Sequence, residues 1–218
     1  MNKVRNWIFD LDDTLYQERD YERSAFNFVG AEVERLYGYP SFTSLLFKLR
    51  GQGSADPITE AWIQCLLPEA HRLKIIFDMR AHYPIISLSD GARAVLQKLR
   101  QQSRPYAIIT DGRSITQRTK IAALGCGDAA FVSISEEVGL SKLDRARFAS
   151  VCAAFPFGEF LYVGDNPAKD FFAPKKLGWK TIMLDHREQG IHSQALPDDP
   201  SYHPDHIIRD LTEILSQL

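Results

Sequence analysis

The sequence predicts an α/β protein in which a doubly wound, Rossmann-like parallel sheet carries an inserted all-helical domain. Short apolar runs of strand length alternate with helical patterns, as is typical of doubly wound sheets. Residues 17–86 are an exception, because they contain helical signals and no convincing buried strand. The 218 residues correspond to about one and a half average domains. We therefore expect a sheet domain of residues 1–16 and 87–218 and a helical domain of residues 17–86.

Five apolar runs have the length and composition of buried strands. Each contains β-branched or aromatic residues and is followed closely by Gly, Asp or Ser. The runs comprise residues 4–9, 106–110, 131–134, 160–164 and 180–184. Their nearly continuous hydrophobicity predicts strands that are buried on both faces of a parallel sheet.

Helical patterns separate these runs. Ser89 or Asp90 is a candidate N-cap for a helix whose apolar residues recur with helical spacing through Leu99. Ser114 is expected to open a second helix, which stops at Gly125. Residues 144–155 and 168–177 show similar patterns. Strand–helix alternation with lengths like these predicts a doubly wound α/β sheet.

The predicted helical domain shows three successive helical signals. A mostly apolar stripe begins near Tyr21 and closes at Gly38, and Asp56-Pro57 resembles an N-cap with proline at the first helical position. That helical face continues through residues 62–67, and residues 70–82 form another candidate helix. At the other end of the chain, residues 186–206 are expected to form a long surface loop before a short C-terminal helix.

The composition excludes several classes of protein. The 26 basic and 28 acidic residues leave a net charge of −2, which argues against nucleic acid or an anionic membrane as a partner held by bulk charge. The three cysteines are widely separated and match no metal-binding spacing or disulfide framework. No apolar run approaches the ~20 residues of a membrane span, and no signal peptide is recognisable. We expect a cytoplasmic protein, as a monomer or weak homodimer.

Reactive side chains follow the ends of the predicted strands. In open α/β sheets, ligands bind outside the carboxyl ends of the strands. The groups expected to meet there are Asp10, Asp12, Thr110, Asp111-Gly112, Lys142, Asp165 and Asp170. Several carboxylates, one hydroxyl and one ammonium would thus converge at one edge of the sheet.

These segments, in this order, resemble the four motifs of the haloacid dehalogenase-like hydrolases. The matching segments are Phe9-Asp10-Leu11-Asp12-Asp13-Thr14-Leu15, Ile109-Thr110-Asp111-Gly112, Lys142 within Gly139-Leu140-Ser141-Lys142, and Gly164-Asp165 through Asp170. The resemblance extends through the chain around them and implies that residues 17–86 are a helical cap that closes over the cleft and selects the substrate. Two departures are visible, Leu143 where members often have proline, and Pro167 in the last motif.

The resemblance implies a Mg²⁺-dependent phosphomonoester hydrolase. Asp10 would attack phosphorus to form an aspartyl-phosphate, and Asp12 would protonate the leaving oxygen and later deprotonate water. Mg²⁺ prefers oxygen ligands, which Asp10, Asp165 and Asp12, through its backbone carbonyl, would provide. Asp170 would orient Lys142 or a metal-bound water.

The same resemblance assigns the phosphate-binding groups. Thr110, the backbone N–H groups of Asp111 and Gly112, and the ammonium of Lys142 would hold the phosphoryl oxygens. Arg113 is a further candidate for substrate contact. Tyr16, at the predicted domain junction, and His186 with Arg187, after the last core strand, are further candidates. For His186 and Arg187, an ordinary loop is the competing interpretation.

Several alternatives remain open from the sequence. Asp12 or Asp13 can simply cap a helix, Lys142 can be a solvated loop residue, and Asp165-Asn166-Pro167 can be a turn. The pattern from Gln117 to Lys120-Ile121 resembles nucleotidase-type members, which makes a nucleoside monophosphate one candidate substrate. A sugar-phosphate mutase or a haloacid dehalogenase would use the same fold, although Asp12 disfavours dehalogenation. A non-catalytic regulatory protein that binds a phosphate ligand is the alternative from another class.

Overall fold

A computed structural model describes residues 4–155, 157–186, 190–191 and 193–218. Within these residues, six strands form one sheet in the order β3-β2-β1-β4-β5-β6, and all pairs are parallel. The strands are β1 Arg5–Phe9, β2 Tyr106–Thr110, β3 Phe131–Ile134, β4 Glu159–Gly164, β5 Lys180–Leu184 and β6 His206–Ile208. Parallel order requires crossovers, and helices provide most of them. The predicted doubly wound α/β class is confirmed.

Helices lie between most of the strands along the chain. They are α1 Glu18–Tyr37, α2 Phe42–Gly51, α3 Pro57–Gln64, α4 Glu69–Ala81, α5 Asp90–Gln101, α6 Ser114–Ala123, α7 Ser135–Val138, α8 Arg145–Ala149 and α9 Phe172–Lys176. Short 3₁₀ helices lie at Ser150–Ala153, Pro200–Tyr202 and Leu211–Gln217. Within the described residues, no helix is long and apolar enough to cross a membrane.

The structure differs from the predicted elements in three places. The sixth strand, β6, begins at the end of the proline-rich segment that was predicted to be a surface loop. Its three residues pair with β5. The helix α2 has no counterpart among the predicted helices of residues 17–86. The helices predicted over 144–155 and 168–177 are shorter, because the first changes to a 3₁₀ helix at Ser150 and the second begins only at Phe172.

Two compact units divide the chain, one of Met1–Arg19 with Ile86–Leu218 and one of Asp20–Ile85. In the first unit, which we call the core unit, aliphatic and aromatic side chains of the central strands pack against those of the helices, among them Ile8, Ile109 and Phe148. In the second, the helical unit, Phe26, Phe42 and Trp62 belong to a separate apolar cluster. Each unit therefore has its own hydrophobic core, which is the usual property of an independent domain.

The strand order places the candidate site. The first strand, β1, lies between β2 and β4, with Phe9 opposite Ile108 on one side and opposite Val163 on the other. The chain order changes direction at β1, and this is where ligands bind in open α/β sheets. Residues that directly follow β1, β2 and β4 therefore lie next to one another at the carboxyl edge of the sheet.

Candidate functional site

Asp10 directly follows β1 and is almost completely buried. Its backbone N–H donates to the carbonyl of Val163 at 2.8 Å, which continues the pairing of β1 with β4 and fixes the start of the loop. Its Oδ1 lies 2.6 Å from Nζ of Lys142. Burial and the neighbouring carboxylates outweigh the attraction of Lys142 and raise the pKa of Asp10 from 3.8 to about 7. Additional positive charge is therefore needed to keep this carboxylate ionised at neutral pH.

Asp170 holds Lys142 in place. Its Oδ1 accepts from Nζ of Lys142 at 2.7 Å and from the hydroxyl of Tyr162 at 3.2 Å, while its Oδ2 accepts from the backbone N–H of Asn166 at 2.8 Å. Burial opposes the ammonium of Lys142, but Asp10 and Asp170 outweigh it and raise the pKa of Lys142 well above its usual value. Lys142 is therefore held as a charged group between two carboxylates.

The close approach of Asp170 to β4 depends on Gly164. A Cβ at this position would lie 2.6 Å from Oδ2 of Asp170, which is shorter than real contacts allow. The following turn is closed by the N–H of Asp170, which donates to the carbonyl of Asn166 at 2.9 Å. Pro167 lies inside this turn, and the bond that closes it does not use the N–H that proline lacks.

Asp165 completes a cluster of three carboxylates. Ligand oxygens of Asp10, Asp165 and Asp170 all lie within 4.8 Å of one another. Oδ2 of Asp165 is buried and has no hydrogen-bond partner among the residues that the structure describes. Burial, reinforced by Asp10 and Asp170, raises the pKa of Asp165 to about 9. An unpartnered buried carboxylate oxygen beside other carboxylates fits a hard divalent cation such as Mg²⁺.

Asp12 has a different environment, supplied by α6 and by its own loop. Its Oδ1 accepts from Nζ of Lys120 at 2.7 Å and from the hydroxyl of Tyr16, and its Oδ2 accepts from Nε2 of Gln117 at 2.8 Å. Burial alone would raise the pKa of Asp12, but Lys120, with Tyr16 and Gln117, lowers it overall. The side chain of Asp12 is thus held by these three donors, outside the cluster formed by Asp10, Asp165 and Asp170.

Lys120 is a site residue that sequence reasoning did not select. Its side chain is 4% exposed, and its ammonium lies 5.8 Å from the centre of the Tyr16 ring. The available signal was the spacing of Gln117 and Lys120 with Ile121, because residues three and four apart share one face of a helix. All three are buried in the structure, so the two polar residues lie on the inner face of α6.

The loop after β2 carries Thr110, Asp111 and Gly112. The hydroxyl of Thr110 accepts from Nε2 of Gln117 at 2.6 Å, and Gln117 also reaches the carbonyl of Asp111 at 2.9 Å. Gly112 has a φ of 140°, which favours glycine. Its N–H, which the sequence analysis expected to bind phosphate, donates instead to the hydroxyl of Ser135 at 2.9 Å. One of the N–H groups predicted to bind phosphate is therefore hydrogen-bonded to a protein side chain in this structure.

A cleft of about 220 Å³ brings most of the predicted residues together. Its walls are formed by Asp10, Asp12, Glu18, Thr110, Asp111, Gly112, Lys142, Asp165, Asn166 and Lys169. Glu18, Asn166 and Lys169 were not among the sequence-based candidates. Burial and the nearby Asp12 raise the pKa of Glu18 to about 7. The cleft wall therefore carries carboxylates and two lysines.

The remaining candidates lie elsewhere in the core unit. Arg113 is exposed and pairs with Glu136 at 3.7 Å, so its side chain is not among those that line the cleft. Tyr16 reaches the site through Asp12, and His186 lines a neighbouring cavity of about 380 Å³. Arg187 lies outside the described residues.

Asp13 has the structural role that the sequence left open. Its Oδ1 accepts from the backbone N–H of Glu18, the first residue of α1, at 2.8 Å. Its Oδ2 accepts from the N–H of Ile191 at 2.8 Å, which ties the loop after β5 to the loop after β1. A carboxylate that bonds the N–H at a helix start stabilises that helix.

Comparisons with known proteins identify the family of this chain. The family model of the haloacid dehalogenase-like hydrolases matches residues 4–178. The chain is 27% identical to a phosphoserine phosphatase of Thermus thermophilus, covering 95% of this chain and 96% of the relative. It is 37% identical to a glyceraldehyde 3-phosphate phosphatase of Pyrococcus abyssi, covering 81% and 79%. The fold is similar to that of the HAD-hydrolase YfnB from Bacillus subtilis, solved bound to magnesium, with a TM-score of 0.66, 22% identity and coverage of 99% of each chain. The chain belongs to the haloacid dehalogenase-like hydrolases.

Proposed function

We propose that this chain is a Mg²⁺-dependent phosphomonoester hydrolase that forms an aspartyl-phosphate on Asp10. The observation that supports this most directly is the grouping around Asp10, where a buried carboxylate faces Lys142 at 2.6 Å and borders a cleft. Its relatives, a phosphoserine phosphatase and a glyceraldehyde 3-phosphate phosphatase, are both named as phosphatases. The sequence-based expectations of a cytoplasmic location and of a monomer or weak homodimer are kept as part of the proposal.

In the first step, a carboxylate oxygen of Asp10 attacks phosphorus. The new oxygen–phosphorus bond forms as the bond from phosphorus to the ester oxygen breaks. Thr110 and Lys142 stabilise the negative charge on the transferring phosphoryl group, because both groups line the cleft beside Asp10. Asp170 keeps the ammonium of Lys142 aligned through its 2.7 Å contact. Asp170 thereby acts through Lys142, without touching the phosphoryl group.

Asp12 handles the proton in both steps. The leaving alkoxide takes a proton from Asp12, which the negative charge of the bound phosphate ester helps to keep protonated. Water then attacks the aspartyl-phosphate and gives its proton to the Asp12 carboxylate, which releases phosphate and restores Asp10. Lys120, Gln117 and Tyr16 favour the ionised form of Asp12, which is the form that the second step needs.

The cation would be held by Asp10 and Asp165, with the backbone carbonyl of Asp12 as the further ligand expected from the sequence. Asp170 is less suited to bind it directly, since both of its oxygens already accept hydrogen bonds. When bound, Mg²⁺ supplies positive charge to the phosphoryl oxygens and offsets the repulsion between them and the carboxylates.

The proposed substrate is a small phosphate ester, with three-carbon compounds favoured over a nucleoside monophosphate. The cleft of about 220 Å³ is smaller than the ~300–1,000 Å³ typical of sites for larger ligands. Phosphoserine and glyceraldehyde 3-phosphate, the compounds in the names of the two relatives, are both phosphate esters of three-carbon alcohols. We propose that the helical unit serves as the cap that selects among such esters.

The first experiment is hydrolysis of p-nitrophenyl phosphate with Mg²⁺, with EDTA and with Asp10→Asn. We expect Mg²⁺-dependent turnover that falls by at least ~10⁴-fold in Asp10→Asn, because the nucleophile is lost. Asp90→Asn, which changes an exposed carboxylate at the start of α5, is the matched control and should leave the rate unchanged. Turnover that survives both EDTA and Asp10→Asn would contradict the mechanism.

A substrate panel separates the alternatives. The panel contains phosphoserine, glyceraldehyde 3-phosphate, phosphoglycolate, nucleoside monophosphates, a sugar bisphosphate and chloroacetate. Preference for a three-carbon ester by kcat/KM supports the proposal, whereas preference for a nucleoside monophosphate contradicts its substrate class. Isomerisation of a sugar phosphate would indicate the mutase, chloride release the dehalogenase, and phosphate binding without any turnover the regulatory protein.

A further inference from the structure

Arg147 is a completely buried arginine outside the four motifs. Arg147 lies in α8, and only 1% of its surface is exposed. The free energy of burying a guanidinium is unfavourable unless its donors are satisfied. Every one of its five N–H groups has a partner, which none of the roles described above explains.

Those partners connect three segments of the core unit. Nε donates to the hydroxyl of Ser133 at 3.0 Å, and Nη2 donates to the carbonyls of Thr110 at 2.5 Å and Ser133 at 3.0 Å. Nη1 donates to Oδ1 of Asp111 and, at 3.2 Å, to the carbonyl of Leu140. Arg147 thus joins the end of β2, the strand β3 and the loop that leads to Lys142.

The two joined loops carry the groups that the proposed mechanism assigns to the phosphoryl oxygens. Arg147 contacts Thr110 through the backbone carbonyl of Thr110. The hydroxyl of Thr110 is left on the cleft side, where it accepts from Gln117. Leu140 lies two residues before Lys142, and Leu143 follows Lys142, so no proline restricts the backbone after the lysine. Lysine could not replace this contact set, since a lysine ammonium has three donors and lacks the planar fork of arginine.

We propose that Arg147 is a positioning residue that sets the distance between the Thr110–Asp111 loop and the Lys142 loop. It does so from behind the cleft, without contact to the substrate. This inference depends on the phosphatase proposal only for the identity of the reaction in which the two loops cooperate. Whichever reaction takes place, the contacts of this one guanidinium fix both loops.

The test compares Arg147→Met, Arg147→Lys and Arg145→Met with the wild type. Kinetics with p-nitrophenyl phosphate and Mg²⁺ give kcat and KM, and circular dichroism gives the Tm of each variant. We expect Arg147→Met to lower kcat about 10²-fold, as small misplacements of reacting groups do, and to raise KM about tenfold because the displaced groups also bind the phosphoryl oxygens. Arg147→Lys should recover only part of kcat. Arg145→Met, which changes an exposed arginine of the same helix, should match the wild type.

Chemical rescue provides a readout that a general packing role would not affect. In Arg147→Ala, guanidinium ion at tens of millimolar should restore kcat at least fivefold, whereas sodium ion at the same ionic strength should not. A folded Arg147→Met variant with kcat within twofold of wild type would overturn the inference. If the Arg147 variants do not fold, Asp111→Asn decides, because it weakens the same contact while leaving the guanidinium in place; an unchanged kcat there overturns the inference as well.

Binding of inorganic phosphate distinguishes failure of this inference from failure of the proposed function. Calorimetry with Mg²⁺ should show phosphate affinity at least tenfold weaker in folded Arg147→Met than in the wild type. Wild-type turnover with unaltered Arg147→Met kinetics and phosphate affinity overturns the Arg147 role alone. A wild type without turnover but with phosphate affinity that depends on Arg147 overturns the hydrolase proposal alone, and a wild type that neither turns over nor binds phosphate overturns both.

Discussion

Lys142 and Lys120 are equally buried, at 4% side-chain exposure, yet they lie in different electrostatic environments. Lys142 is shared by Asp10 and Asp170, with Asp165 close by, so three ionised carboxylates would outnumber one ammonium by two charges. Lys120 faces Asp12, which also accepts hydrogen bonds from the neutral side chains of Tyr16 and Gln117. The first region lacks positive charge, which a divalent cation would supply, whereas the Asp12 region satisfies its carboxylate with protein groups.

Of the substitutions that compare the two lysines, Lys142→Met is expected to have the larger effect. Lys142→Met should lower kcat for p-nitrophenyl phosphate about 10³-fold, because a donor to the transferring group is lost and the carboxylates of Asp10 and Asp170 lose their shared partner. Steady-state kinetics at saturating Mg²⁺ measure it. The exposed Lys180→Met is the control, and a loss below tenfold in Lys142→Met would show that Lys142 is not part of the chemistry.

Lys120→Met should have a smaller effect, which falls on the second step. Lys120 favours the ionised form of Asp12, and that carboxylate takes the proton from the attacking water whichever substrate formed the aspartyl-phosphate. We therefore expect kcat to fall about 10²-fold both for glycerol phosphate and for p-nitrophenyl phosphate, and the acidic limb of the kcat–pH profile to move to higher pH. A lowered kcat with an unshifted acidic limb would indicate that Lys120 only stabilises the fold of α6.

The two regions also differ in how far the sequence could predict them. Asp10, Lys142, Asp165 and Asp170 follow strand ends or lie in motif segments, and parallel strands bring such positions together at one edge. Lys120 lies in the last turn of α6, and an isolated lysine on a helix is usually solvated. Only the tertiary position of α6 against the loop after β1 turns it inward, and that position is set by packing that no local pattern encodes.

Other features that the sequence did not predict also lack a local signal. The strand β6 is short and follows a proline-rich segment, so it has neither the length nor the alternation that identifies strands, and it forms because β5 offers an edge to pair with. Arg147 was not predicted because its partners come from three separate segments, which only the fold brings together around one side chain. The N–H of Gly112 was assigned to phosphate by resemblance, and only the structure shows Ser135 beside it.

Removal of the cation should reveal the charge deficit as a pH effect on stability. In the folded chain the pKa values of Asp10 and Asp165 are about 7 and about 9, whereas the usual value is 3.8. At pH values between 3.8 and these raised pKa values, the folded chain therefore binds more protons than the unfolded chain. The free energy of unfolding contributed by these groups therefore falls as pH rises from about 4 to about 9 in EDTA. Mg²⁺ requires the ionised carboxylates and offsets their repulsion.

Thermal unfolding followed by circular dichroism checks this expectation. Mg²⁺ should raise the Tm at pH 8 by roughly 3 °C more than it does at pH 5, a difference that corresponds to about 1 kcal/mol for a chain of this size. Asp165→Asn should remove most of the Mg²⁺ effect at both pH values. An equal rise at pH 5 and pH 8 would show that the cation binds elsewhere than at these carboxylates.

The smallest effect is expected at Arg113. This residue tests whether an exposed charged side chain beside the cleft takes no part in the reaction. Arg113 and Glu136 form an exposed pair at 3.7 Å, and such pairs contribute ~0–1 kcal/mol to stability. Arg113→Met should therefore change kcat and KM for p-nitrophenyl phosphate less than about twofold and leave the Tm nearly unchanged. A tenfold rise in KM would instead mean that the arginine leaves Glu136 to bind the substrate, as the sequence analysis expected. In that case exposure in the structure would be a poor guide to function at this edge of the sheet, and the contrast between Lys142 and Lys120 would need to be tested with substrate bound.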